Sequence, residues 1–251
     1  MQNKLFISFF ICLLSVTQFS CVPKNNSKRI IVASYGKVES LDPARVTTLK
    51  AFQLLASLGD TLYVINKDGK LVPNLALGMP IISDEKLKIT INLKENIYFH
   101  DGTQFDAKAM KFTIDRFRRI GLNNYILGDK INFVETPSKF QLVLNLNKPS
   151  SSINALLTSL NLTPISPTFY DEYSNKFLND NFIGTGKYLL KNFSNEKQLL
   201  APNNRYWGLK PKNDGINFIG YENSSSLYGA LKSKQIDVLL SNSIEDIQRN
   251  E

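Results

Sequence analysis

His100 is the only histidine in the chain, and Asp101 stands beside it. Hydrolysis by a Ser-His-Asp relay would have to run through that ring. The carboxylate that orients a catalytic imidazole approaches from across a fold, so an immediate sequence neighbour is badly placed for the task. Gly184-Thr185-Gly186-Lys187 has the outline of a phosphate-binding loop. Such a loop needs a glycine separated by four residues from the one before the lysine, and Ser or Thr after the lysine. Asn181 and Tyr188 occupy those positions. No grouping of His, Cys and carboxylate has the spacing of a metal site, and no motif asks for a cofactor. None of these residues is expected to carry catalysis.

The N-terminus carries a different message. Lys4 precedes a mostly apolar run from Leu5 to Val16, shorter than the ~20 residues that span a bilayer. Ser20 then leads into Cys21. This layout reads as a secretory signal over residues 1–20. The junction resembles a bacterial lipoprotein cleavage site, with Gln18 where that pattern usually has Leu. Cleavage there removes Cys12 and leaves Cys21 as the sole cysteine, excluding an internal disulfide and making Cys21 the expected lipid anchor. Ordinary secretory cleavage near Ser20 and an uncleaved anchor are the alternatives. Residues 21–28 read as a polar tether.

The remaining sequence must supply a scaffold. With 251 residues, 43% of them hydrophobic and 11% aromatic, the chain can bury a large core in one to three domains. Its net charge of +8 is spread along the length. Lys108, Lys111, Arg116, Arg118 and Arg119 gather on one expected helix, opposite a Met110, Ile114, Phe117 and Ile120 stripe. They are expected to form a solvated face, not a nucleic-acid surface. That helix starts at Asp106, after a tight Asp101-Gly102 turn. A buried strand is expected over 29–35 and a helix over 47–59. Lys67-Asp68-Gly69 predicts a hairpin. Lys86–Leu93 and Phe140–Leu146 alternate as half-buried antiparallel strands. The spacing of Ile153, Leu156, Leu157 and Leu160 predicts a helix over 152–160. Strands at 188–193 and 198–201 suit another hairpin. Strand 215–221, helix 225–232 and strand 236–240 form a βαβ unit with parallel strands.

Four segments in order resemble the family 5 extracellular solute-binding proteins, the oligopeptide- and dipeptide-binding components of ABC importers. They are Ser40-Leu41-Asp42-Pro43-Ala44; Asp68 through Ala76; Tyr98-Phe99-His100-Asp101-Gly102-Thr103 through Arg116; and Gly184 through Tyr188, continued by Asn204-Arg205-Tyr206-Trp207-Gly208 and Ile236-Asp237. The family usually has Pro where Lys187 stands, Asp where Ala109 stands and Gly where Lys234 stands. The resemblance implies a mixed α/β (α+β) fold, a periplasmic-binding-protein type II-like lobe with an inserted β-rich domain, truncated before a second large lobe. The first lobe is expected from 29–44 and 163–251, and the insert from 45–162. It also implies a non-enzymatic lipoprotein on the outer side of the cytoplasmic membrane that captures a peptide or other small solute and delivers it to permease and ATPase subunits. An envelope interaction protein keeping part of the scaffold without transport is the alternative. Strand ends facing the cleft make Ser34, Tyr35, Ser241, Asn242 and Ser243 the expected ligand-binding residues.

Overall fold

The computed structural model describes residues 28–170 and 182–241. Cys21, Asn242 and Ser243, with the expected leader and most of the expected tether, lie outside the described residues.

The chain opens with β1 (Ile30–Tyr35) and α1 (Leu49–Leu58), followed by β2 (Tyr63–Ile65) and β3 (Leu71–Pro73). Next come β4 (Ile81–Ile82), β5 (Lys88–Asn92), α2 (Ala107–Ile120), α3 (Tyr125–Gly128), β6 (Ile131–Ser138), β7 (Gln141–Leu146) and α4 (Ile153–Leu156). A 3-10 turn at Leu160–Leu162 leads to β8 (Tyr188–Phe193), β9 (Lys197–Pro202), β10 (Ile216–Tyr221), α5 (Ser224–Lys232) and β11 (Val238–Leu240).

Among the described residues, a mixed sheet has the order β11-β1-β10-β9-β8. β1 runs parallel to both β10 and β11, while β9 and β8 continue antiparallel. The two strands flanking α5 are thus parallel as expected, but β1 from the far end of the sequence fills the slot between them. β1 is buried on both faces, which explains its unbroken apolar run. Val32 joins a core with Leu41, Leu54, Leu55, Leu58, Phe182, Leu200 and Phe218. Its neighbour Ala33 points into a smaller core with Leu227, Ala230 and Ile236 from the α5 side.

A second sheet, β4-β5-β7-β6, is antiparallel. Ile89, Ile91, Leu142 and Leu144 form its inner layer, against Met110, Ile114 and Phe117 of α2. Asp106 caps α2 by accepting from the Ala109 N–H at 2.9 Å. The hairpin β2-β3 forms at Asp68-Gly69, with Gly69 at φ +74° and the Asn66 side chain accepting from the amides of Asp68 and Lys70.

Two expectations need correction. The helix expected over 152–160 shortens to Ile153–Leu156, and a separate 3-10 turn follows. Hydroxyls divert the backbone here: Thr158 donates to Ala155 O at 2.6 Å, and Ser159 accepts from the Asn161 amide at 3.3 Å. The basic face of α2 is also not uniformly solvated. Lys111 and Arg118 pair with Asp115 on the outer side, but the Arg116 side chain is 3% exposed and grips Asp42 through two bonds of 2.5 and 2.7 Å. α2 faces a second interface beside its apolar stripe, where Thr113 accepts from the Ile165 amide at 3.4 Å.

Candidate functional site

At the carboxyl ends of parallel strands, backbone groups run out of partners and helix starts approach, so α/β sheets bind ligands there. In this sheet that end is Tyr35 of β1, Tyr221 of β10 and Leu240 of β11. Gly36 follows β1 at φ +86°, a left-handed value that suits glycine, and donates to Tyr221 O at 2.9 Å. The chain then returns to α1, which starts beside the strand end. A cavity of about 220 Å³ lies between them, lined by Ser34, Tyr35, Lys37, Thr48, Lys50 and Gln53, with Gly36, Leu49 and Leu240.

Its electrostatics are unusual. Lys50 is 6% exposed, and its ammonium donates to Gly36 O at 2.9 Å. Burial pulls its pKa from 10.5 down to about 8, opposed by the field of Glu196. Gly220 makes room for it: a Cβ there would stand 2.6 Å from Lys50 Nζ and 2.3 Å from Gly36 O. The Ser34 hydroxyl and Gln53 Oε1 are buried without a hydrogen-bond partner. Native structures rarely leave such atoms unpaired, so each calls for an explanation.

A larger cavity of about 710 Å³ lies beside the four-stranded sheet, bordered by Ile82, Asp84, Lys86, Pro149 and Asn154. It sits where the two-residue edge strand β4 ends and the four-residue α4 begins, away from the carboxyl ends of the parallel strands. We therefore place the candidate site at the smaller cavity.

Of the residues expected to bind ligand, Ser34 and Tyr35 both line this cavity, Ser34 buried and Tyr35 64% exposed. Ser241 follows Leu240 but does not line it. Sequence reasoning missed Lys50, Thr48 and Gln53. One signal was readable: Lys50, Leu54 and Leu58 fall at i, i+4 and i+8, so a lysine occupies the buried stripe of α1.

The conspicuous motifs turn out to hold the scaffold together. The His100 ring is bracketed by Gly186 O at 3.2 Å and the Gly184 amide at 3.4 Å. This arrangement suits a neutral ring donating from Nε2 and accepting at Nδ1. Burial lowers its pKa, against the pull of the Gly186 and Phe182 carbonyls. Asp101 does not orient the ring. Burial would raise its pKa, but donors from Ser166, Thr103 and Thr168 outweigh that and hold it low. Gly184 and Gly186 permit close approach to α1: an added Cβ would lie 2.5 Å from Leu58 O at Gly184 and 2.3 Å from Leu58 C at Gly186. Between them, Thr185 donates to Asp60, which also accepts from Tyr206 and Trp207 at 2.9 and 3.1 Å. Burial raises the Asp60 pKa in spite of these donors.

The arrangement of the two sheets and their helices recurs in known proteins. The model of the bacterial extracellular solute-binding proteins, family 5 Middle, matches residues 70–251, and the chain belongs to that family. The glutathione-binding protein GsiB of Salmonella paratyphi A is 28% identical over 180 residues, covering 71% of this chain and 35% of the relative. NikZ from Campylobacter jejuni, solved with Ni(L-His), superposes with a TM-score of 0.78 at 22% identity, covering 90% of this chain and 46% of that one. The periplasmic binding protein DppA from Helicobacter pylori, solved with the peptide STSA, gives 0.76 at 24% identity, covering 88% and 49%. The fold is thus that of the type II periplasmic binding proteins. The chain spans about a third of the length of GsiB and about half that of the two solved structures.

Proposed function

We propose that this chain captures a small solute, a peptide in the first instance, outside the cytoplasmic membrane and delivers it to the permease and ATPase subunits of an ABC importer. It acts without catalysis, and Cys21 carries the lipid that holds it at the membrane. The reading divides the chain into a lobe from 29–44 and 163–251 and an insert from 45–162. The separate cores around Val32 and Ile91 favour two units, but α1 lies within 45–162 and packs Leu54, Leu55 and Leu58 into the Val32 core, which argues for an insert that starts after Leu58.

The observation that carries the proposal is the cavity at the strand ends, where Ser34 and Gln53 keep unpaired polar atoms for a ligand. Extended peptides can be held largely through their backbone, which leaves their side chains free to vary. Family membership and the peptide held by the DppA structure point the same way. The test is thermal unfolding of the chain with pools of short peptides. A binder at a hundred times its dissociation constant adds about 2.7 kcal/mol of stability. A midpoint unmoved by every pool would refute peptide capture. Cys21→Ser should release the protein from the membrane fraction, and retention would refute the anchor.

A further inference from the structure

The start of α1 breaks a general rule of helix design. A helix N-terminus carries partial positive charge and favours acidic residues in its first turn. α1 has no acidic residue there. It instead places the Lys50 ammonium two residues after the Thr48 cap and buries it. The Thr48 side chain caps the Ala51 N–H at 3.4 Å, leaving the Leu49 and Lys50 amides without an intrahelical acceptor. Among the described residues, no carboxylate forms an ion pair with Lys50. Glu196, whose field reaches it, is engaged by Lys37 at 2.9 Å. Ser34 contributes a hydroxyl that is buried, unpartnered and on the same cavity wall. Two positive features and an idle donor thus converge on a cavity of about 220 Å³ that no carboxylate lines among the described residues.

We propose that this cavity seats a carboxylate of the captured solute, held by the Lys50 ammonium, the Ser34 hydroxyl and the first amides of α1. The assignment rests on the solute-binding reading above and narrows it: the ligand presents an acidic end to β1 and α1. Helix starts with free amides are suited to anions, and an ammonium that already spends one donor on Gly36 O has others to offer. Gly36 and Gly220 hold that ammonium in place, so the site is preorganised before the ligand arrives. The exposed Tyr35 and Leu49 at the rim supply apolar surface for the rest of the solute.

Sodium acetate is the probe, titrated into the full chain at constant ionic strength while the amide resonances of Leu49 and Lys50 are followed by NMR. Saturable shifts are expected. Affinity should fall at least about tenfold in Lys50→Met, the loss expected for a hydrogen bond to a charged group, and several-fold in Ser34→Ala. The serine variant removes one oxygen and keeps β1 intact, so it serves if the lysine variant does not fold. Absence of saturable shifts, or equal affinity in both variants, overturns the proposal. Tighter binding of inorganic phosphate through the same residues overturns the choice of carboxylate. Peptide binding undiminished in both variants sinks this subsite and spares peptide capture. Acetate saturation without binding of any peptide does the reverse.

Discussion

Replacing Arg116 by Met tests how the two cores are joined. The guanidinium leaves α2 and reaches the turn after β1, where its bonds to Asp42 measure 2.5 and 2.7 Å. Both side chains are almost wholly buried, at 3% and 1% exposure. Without Arg116, the Asp42 carboxylate keeps the Ala44 N–H at 3.1 Å but loses its counter-charge. Stranding a buried charge costs about 3–5 kcal/mol. A urea m-value of about 3 kcal/mol/M, at the upper end for small proteins, turns that into a midpoint lowered by about 1–1.7 M. Asp42→Asn should cost a comparable amount by stranding the guanidinium. The double variant should recover about 2–3 kcal/mol of the summed losses, because neither charge is then left alone. Arg118→Met is the control: its partner Asp115 is partly solvated, and the loss should stay below about 1 kcal/mol. Urea unfolding followed by Trp207 fluorescence reads all four. If Arg116→Met costs no more than Arg118→Met, or the double variant is simply additive, the ion pair does not clamp the cores.

Three further outcomes follow from local geometry. Burial holds the His100 imidazole below its ordinary value of 6.5. Between the two values the unfolded chain binds the extra proton, so stability is complete above about pH 6.5 and declines on acidification. His100→Gln should flatten that limb in a stability–pH series, and an unchanged slope would refute the assignment. Gly186→Ala drives a Cβ to 2.3–2.7 Å from the backbone at Leu58 and Gly59. It should cost at least about 2 kcal/mol by overpacking, and a neutral effect in urea unfolding would show that the loop can retreat. Lys234 sits past the end of α5 at φ +56°, with Gln235 N–H bonded to Ala230 O and Lys234 N–H to Leu231 O, a left-handed cap that normally takes glycine. Lys234→Gly should raise stability by about 0.5–1 kcal/mol, whereas a loss would mean the lysine is not strained.

Much of the scaffold was legible because its causes are short-range. Asp68-Gly69 turns wherever it is flanked by strands, Asp106 caps the helix that follows it, and the alternation through Ile89 and Ile91 or Leu142 and Leu144 marks one wet and one dry face. Ser34 and Tyr35 were reachable because a strand end adjoins a cleft in the family the chain resembles. The helix expected over 152–160 was misjudged because Thr158 and Ser159 offer local hydrogen bonds that compete with helix continuation, while periodicity registers only apolar spacing.

Other features depend on which distant segments meet. Nothing near Arg116 reports that Asp42 lies across from it, so its burial is invisible among Lys108, Lys111, Arg118 and Arg119. Gly184 and Gly186 imitate a phosphate loop until Leu58 is seen pressed against them. β1 separates β10 from β11 although most of the chain intervenes. Lys50 acquires its meaning only when Gly36, Gly220 and Ser34 gather around its ammonium. Periodicity and turn chemistry act over a few residues and are written along the chain. Charge pairing, close backbone approach and the shape of a cavity arise between segments that folding brings together, and so belong to the assembled molecule.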